Sequence, residues 1–148
     1  MRLLIQRVSS ASVAVAGRSS GSIQRGLLVL MAAGPDDDRL VVERILQKVI
    51  KLRIFADQDG KMNLSVKDVQ GGLLLVSQFT LFADTRKGNR PSFTAAAPPQ
   101  LAESLYDYAL EYLQSQAGVP VASGQFGADM QVKLVNDGPV TIWMDSDG

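Results

Sequence analysis

The segment Leu134–Trp143, LVNDGPVTIW, decides how the last third of this chain is read. Just upstream, Met130, Val132 and Leu134 alternate with Gln131 and Lys133, the period of a strand with one buried face. Gly138-Pro139 interrupts that pattern, because proline has no N–H to give to a ladder and is tolerated only at a strand's edge, end or bulge. The last strand is therefore expected to break or turn at Gly138. Glycine opens backbone conformations closed to other residues, and an X-Pro bond can be cis. Residue types alone leave two readings: an ordinary tight turn, or a rigid piece of backbone that presents carbonyls and no side chain.

Working outward, GGLLLVSQFTLFA (Gly71–Ala83) is a long apolar strand, followed by the polar, basic loop DTRKGNRPS (Asp84–Ser92). GLLVLMAAG (Gly26–Gly34) is an uninterrupted apolar run suited to a buried strand, and LLIQRVSSASVAV (Leu3–Val15) a further strand before a turn at AGRSSGS (Ala16–Ser22). Two helices separate these groups. The first opens at Asp36-Asp37-Asp38, with Val41, Ile45, Val49 and Leu52 at helical spacing; the acidic triplet reads as helix initiation rather than a metal site. The second spans Pro98–Gly118, with prolines at its start, Leu101, Leu105, Tyr108 and Tyr112 along one face, and Gly118 as its C-terminal cap. DQDGKMNLS (Asp57–Ser65) begins like a calcium loop but lacks the sixth-position glycine and the closing glutamate, so it reads as a hairpin turn. Strands, helix, strands, helix, strands, without internal repeat or linker, predict a single α+β domain over residues 1–148. Its sheet should be largely antiparallel, because two helices are too few to connect every strand pair.

Composition removes whole classes of chemistry. A chain of 148 residues, 46% of them hydrophobic and 20% charged, is long enough to bury about 70% of its unfolded surface. No apolar run approaches the roughly 18 residues needed to cross a bilayer, which points to a soluble, cytoplasmic protein. With no cysteine there are no disulfides, thiolate nucleophiles or sulfur-based zinc sites. With no histidine, Ser-His-Asp triads and histidine–metal hydrolysis are impossible. No metal or cofactor is expected. Fifteen basic and 15 acidic residues cancel, so any nucleic-acid contact must rest on a local patch.

Two stretches place polar groups where a plain core strand would not. In Ser77-Gln78-Phe79-Thr80, strand alternation would send Ser77 and Phe79 to one face and Gln78 and Thr80 to the other. Such a strand end, with hydroxyls, an amide and free N–H groups, is either an ordinary terminus or a small polar pocket for an ester or oxyanion. A threonine nucleophile at Thr80 would need a lysine, a carboxylate or the substrate as its base. The other stretch is Gly138-Pro139.

Taken together, SQFTL (Ser77–Leu81) and NDGPVT (Asn136–Thr141) resemble the signature pair of the D-aminoacyl-tRNA deacylase family. The resemblance extends through QRV (Gln6–Val8), GLLVL (Gly26–Leu30), LRIFAD (Leu52–Asp57), GKMN (Gly60–Asn63), RPSF (Arg90–Phe93) and GADMQV (Gly127–Val132). Departures occur at Met31-Ala32-Ala33, where the family usually has a glycine after the strand, and at Phe82, where a small residue is common.

The resemblance implies a mixed, mainly antiparallel, barrel-like sheet with two main helices, assembled as a homodimer. It implies hydrolysis of the ester between a D-amino acid and the terminal adenosine of tRNA. Ser77, Gln78, Phe79 and Thr80 would grip the aminoacyl-adenosine, chiefly through main-chain donors. Gly138 and Pro139, held cis, would enter the partner's site and leave no room for an L-side chain. Glycyl-tRNA would then leak through. Arg7 is assigned to anchoring the Gly-Pro loop, and Met130 to supporting the site. A ribose hydroxyl of the substrate would help activate water, with Thr80 as a covalent nucleophile the alternative. Arg86, Lys87 and Arg90, a local excess of two positive charges after Asp84, are the expected tRNA contact. Neither DNA nor a membrane is expected as a partner.

Overall fold

The computed structural model describes residues 1–148. Its organising element is β1 (Arg2–Val15), which pairs antiparallel along one edge with β8 (Met130–Asp145). Its other edge is shared by β3 (Gly26–Ala32), against Arg2–Val8, and β2 (Arg18–Ile23), against Ala11–Val15. Beyond β3 the sheet continues parallel through β6 (Gly72–Ser77) to β7 (Val121–Ser123). Parallel neighbours need long crossovers. They are made by α1 (Arg39–Lys51) with the small hairpin β4 (Phe55–Ala56) and β5 (Met62–Leu64), and by α2 (Pro99–Gln116). β2 then comes back to β7, where the Ser20 hydroxyl donates to the Ser123 carbonyl at 3.1 Å, so the sheet is nearly closed into a barrel.

Strand alternation divides the core in two. Leu3, Ile5, Leu27, Val29, Met31, Leu73 and Leu75 face the helices and meet Val42, Ile45, Leu46 and Val49 of α1 and Leu105, Ala109 and Leu113 of α2. The intervening Val8, Leu28, Leu74 and Val76 fill the barrel with Ala11, Val13 and Ile23. Each leucine so buried contributes about 2 kcal/mol of transfer free energy. Where β3 and β6 begin, Gly26 opposes Gly72, and a Cβ on Gly26 would lie 1.9 Å from the Gly72 carbonyl oxygen. Only glycine permits that approach.

Several local expectations are corrected. The predicted turn at Ala16–Ser22 is only Ala16-Gly17, both at positive φ; Arg18 already begins β2. Asp38 caps α1 by accepting from the Val41 N–H at 3.0 Å, whereas Asp37 turns inward to the N-terminal ammonium at 2.7 Å. On α2 the buried stripe is Leu105, Tyr106, Ala109 and Leu113 rather than Leu101, Leu105, Tyr108 and Tyr112. The Tyr106 hydroxyl donates to the Leu75 carbonyl at 2.7 Å, and burial pushes its pKa up to about 12. Tyr108 lies on the flank, donating to Glu43 at 2.6 Å under the Arg39 guanidinium. The DQDGKMNLS segment is the expected hairpin, its turn closed by Asp57 accepting from the Asp59 and Lys61 N–H groups. No helix is long and apolar enough to cross a membrane.

The strand that was expected to end at Gly138 does not end there. β8 keeps its pairing with β1 on both sides of the dipeptide, from Val15↔Met130 to Arg2↔Asp145. Between Gln6↔Thr141 and Val8↔Asn136, however, one residue of β1, Arg7, stands against four of β8, residues 137–140. The surplus forms a bulge, and Gly138-Pro139, joined by a cis peptide bond, lies in it.

Candidate active site

The other strand expectation fails differently. β6 ends at Ser77: the Gln78 N–H still makes the last bond of the parallel ladder, to the Met31 carbonyl of β3 at 2.7 Å, before the chain leaves the sheet. Phe79–Phe82 then wind into a single 3-10 turn, so the alternation of Ser77 and Phe79 against Gln78 and Thr80 does not apply. Leu81 N–H bonds the Gln78 carbonyl and Ala83 N–H the Thr80 carbonyl, which leaves the Phe79 and Thr80 N–H groups outside the turn's own hydrogen bonds. The Gln78 side-chain amide donates to the Thr80 hydroxyl. Arg2 braces the far end of the turn, donating to the Leu81 carbonyl at 2.9 Å with its guanidinium 4.3 Å from the Phe82 ring centre.

Beside this turn lies a cavity of about 580 Å³, lined by Ser77, Gln78, Phe79 and Met130 among the residues singled out from the sequence. Its apolar walls come from Phe93, Ala96 and Ala97 in the segment before α2, and from Phe126 in the loop before β8. Phe79 is half exposed and sits edge-on to Phe93, ring centres 5.1 Å apart. A concave, mostly apolar pocket of this size with a few polar groups on one wall suits a nucleoside-sized ligand. Phe93 closes the RPSF block of the resemblance, which assigns it no role, and Phe126 carries no signal, since neither lies on a periodic element.

Gly138 and Pro139 are not part of this cavity. They are exposed, and Arg7 holds the loop they belong to. Its Nε donates to the Asp137 carbonyl at 2.9 Å and a terminal nitrogen donates to the Ile54 carbonyl at 2.7 Å. From Val132, at the cavity wall, to Gly138 is about 20 Å along an extended strand.

The basic loop is also less uniform than its composition suggests. Arg86 donates twice through its side chain to Asp84, at 2.9 and 2.7 Å, and once through its backbone at 3.0 Å. These bonds, the side-chain ones foremost, hold the Asp84 carboxyl down at about 2. A depressed carboxyl favours the closed loop above the ordinary carboxylate range and loses that effect only as pH falls toward 2. The pair is intact at neutral pH, and Lys87 and Arg90 are the loop's unpaired cations.

A near-closed mixed barrel backed by two helices, with a concave and mostly apolar pocket where β6 ends, defines a small α+β domain with a ligand pocket between its sheet and the segment before α2. The profile of the D-Tyr-tRNA(Tyr) deacylase family matches residues 4–145. The D-aminoacyl-tRNA deacylase of Magnetococcus marinus is 59% identical over 145 residues, covering 98% of this chain and 96% of that protein. The D-aminoacyl-tRNA deacylase of a Pseudomonas putida strain is 60% identical over 142 residues, covering 96% and 97%. Among solved structures, one titled "c-Myc DNA Unwinding Element Binding Protein" superposes with a TM-score of 0.91 at 41% identity, covering 98% of both chains. A probable eukaryotic D-amino acid tRNA deacylase shares the fold, with a TM-score of 0.82 at 17% identity over 97% of each chain. The chain belongs to the D-Tyr-tRNA(Tyr) deacylase family, and its activity is that of a D-aminoacyl-tRNA deacylase, a hydrolase acting on aminoacyl-tRNA.

Proposed function

We propose that this chain proofreads chirality as a homodimer, in which Gly138-Pro139 of one subunit closes the pocket of the other that Ser77, Gln78 and Phe79 line, with Thr80 just beyond it. One observation carries the reading: Gly138-Pro139 does not line the cavity of its own chain, and it stands about 20 Å along β8 from Val132 at the cavity wall. The surroundings support a partner. β8 presents its outer edge unpaired over its whole length, and Val135 and Trp143 on it are more than half and half exposed. Leu4, Leu30 and Trp143 share one face by register, and the helices cover the opposite one. A long unpaired edge that carries exposed apolar side chains is normally covered.

In the assembled site the exposed carbonyls of the bulge hold the α-amino group, and the unyielding backbone blocks an L-side chain. A site rejects best through clashes and unpaired polar groups. A D-side chain points outward, so its identity is not read. Glycine has no side chain to exclude, and glycyl-tRNA passes to some degree. Purified protein is expected to cleave D-tyrosyl-tRNA at least about 100-fold faster than L-tyrosyl-tRNA. Equal rates on the two, or none on either, would overturn the proposal. An activity on aminoacyl-tRNA supports a cytoplasmic location.

Water is activated with help from a ribose hydroxyl of the substrate. The Thr80 hydroxyl accepts from an amide, and an amide is no base, which counts against a covalent role for it. Thr80→Ala is expected to keep its deacylation rate within about fivefold of wild type in single-turnover assays. A loss of several thousandfold would restore the nucleophile.

The acceptor stem is contacted by Lys87 and Arg90, with Arg86 engaged by Asp84. Removing both free cations is expected to lower the slope of log affinity against log salt by about 1.5, while Arg86→Ala changes it less. An unchanged slope in the double variant sinks the assignment. The solved structure 41% identical to this chain is titled for binding a DNA element. Here a net charge of zero and one short basic loop offer only a few phosphate contacts, enough for the end of an acceptor stem and too few for an extended DNA site, and tRNA remains the proposed nucleic acid.

A further inference from the structure

The bulge that carries Gly138-Pro139 has no partner strand, and yet its backbone is bonded. Residues 137–140 fall in the gap between Gln6↔Thr141 and Val8↔Asn136, so no residue of β1 faces them in the ladder. Val140, at the end of the bulge, is buried at 8% exposure, and buried backbone groups need partners. The side chain of Asn136 supplies both. Its Oδ1 accepts from the Val140 N–H at 2.8 Å, and its Nδ2 donates to the Val140 carbonyl at 3.2 Å. The second hydrogen on Nδ2 goes to the Thr141 hydroxyl at 3.1 Å. The amide can point only one way, because the Val140 N–H must meet the oxygen.

We propose that Asn136, oriented by Thr141, is a positioning residue for chirality selection: its amide stands in for a missing strand and clips the bulge into a closed ring. This rests on the reading of Gly138-Pro139 as the cross-subunit filter. Within that reading the clip and Arg7 have separate tasks. Arg7 grips the Asp137 carbonyl before the dipeptide, and Asn136 grips Val140 after it. With both ends held, the intervening backbone has nowhere to yield when an L-side chain presses on it. With one end free, the wall gives way, and the substrate admitted is the one it was excluding.

Asparagine is the side chain that fits. Alanine removes every bond of the clip. Aspartate keeps the acceptor for the Val140 N–H but loses both donors and sets a charge against the Val140 carbonyl. Thr141→Val removes only the orienting acceptor, and Thr141→Ser retains it.

The test measures kcat/KM on D- and L-tyrosyl-tRNA for the full chain and these four variants, with subunit mass and thermal unfolding recorded for each. The D-to-L ratio of Asn136→Ala is expected to fall about tenfold or more, through a rise in the L rate. Asn136→Asp should follow it, Thr141→Val should fall between it and wild type, and Thr141→Ser should match wild type. A gain of L hydrolysis is the telling readout, because general loss of folding lowers both rates. Should Asn136→Ala fail to fold, Asn136→Asp and Thr141→Val carry the same test. A folded Asn136→Ala with a wild-type ratio, or with both rates reduced in proportion, would overturn the clip and leave the filter reading standing. Wild-type protein without D preference would overturn the filter reading and the clip with it.

Discussion

Replacing Gly138 with alanine is expected to cut hydrolysis of D-aminoacyl-tRNA by about 100-fold while the chain stays folded. Gly138 has φ +150°, a conformation that residues with side chains rarely adopt. A Cβ there would lie 2.7 Å from both the Val140 nitrogen and the Val140 Cγ2, and 3.4 Å from a terminal nitrogen of Arg7. The nearest obstacle includes backbone, so no side-chain rotation relieves it and the bulge itself must shift. A displacement of about 1 Å in groups that place a substrate is enough for a loss of this size, equivalent to roughly 2.7 kcal/mol of transition-state binding. The fold should survive because the bulge lies outside the ladder, and β1 and β8 remain paired on either side of it. Gly60 supplies the control: it also has positive φ, in the β4–β5 hairpin, but a Cβ there meets nothing within 4 Å. Gly60→Ala should therefore cost some backbone strain and no activity. Single-turnover deacylation with circular dichroism on both variants decides the matter; a Gly138→Ala protein at wild-type rate would remove the dipeptide from the site.

How far the sequence could be read depended on where each residue's partners lie. Periodicity located both helices and the apolar strands, because burial on one face leaves a local trace. It missed the phase of α2, where Tyr106 rather than Tyr108 enters the core: the Leu75 carbonyl and Glu43 choose between the two, and both lie on other elements. The apolar alternation running through Phe79 and Leu81 promised a longer strand than exists, since after the ladder bond from Gln78 to Met31 the chain leaves β3 and closes a 3-10 turn on the Gln78 and Thr80 carbonyls. At Gly138-Pro139 local rules correctly excluded a ladder residue and wrongly ended the strand. A bulge satisfies the same rule while β1 carries the pairing past it. The site shows the same division. Ser77, Gln78, Phe79 and Met130, singled out through motif, line one cavity that Thr80 does not reach, whereas Phe93, in the RPSF block but without an assigned role, and Phe126 arrive on irregular segments with no periodic signal. Nothing in a count of charges could show that Arg86 is already occupied by Asp84.

Two inactive variants, mixed, are expected to make an active enzyme. Gly138→Ala spoils the bulge and leaves the pocket whole; Ala96→Trp places an indole in the cavity wall and leaves the bulge whole. Each homodimer should be close to background, because every site in it lacks the same half. In a heterodimer with twofold-related subunits, one site joins the intact pocket of the first chain to the intact bulge of the second, and the other site is doubly damaged. Random reassortment of equal amounts should thus restore about a quarter of wild-type activity, and a heterodimer isolated through two different affinity tags about half. If each chain built its own site, both fractions would be near zero, because no single chain in the mixture carries both working halves. The experiment also separates dimer formation from the use made of it. An isolated heterodimer of correct mass with no recovered activity would show that the chains pair without sharing a site, and would return Gly138-Pro139 to being a bulge in an edge strand. Recovery at the expected level would mean that the roughly 20 Å between bulge and pocket in one chain is spanned by the second.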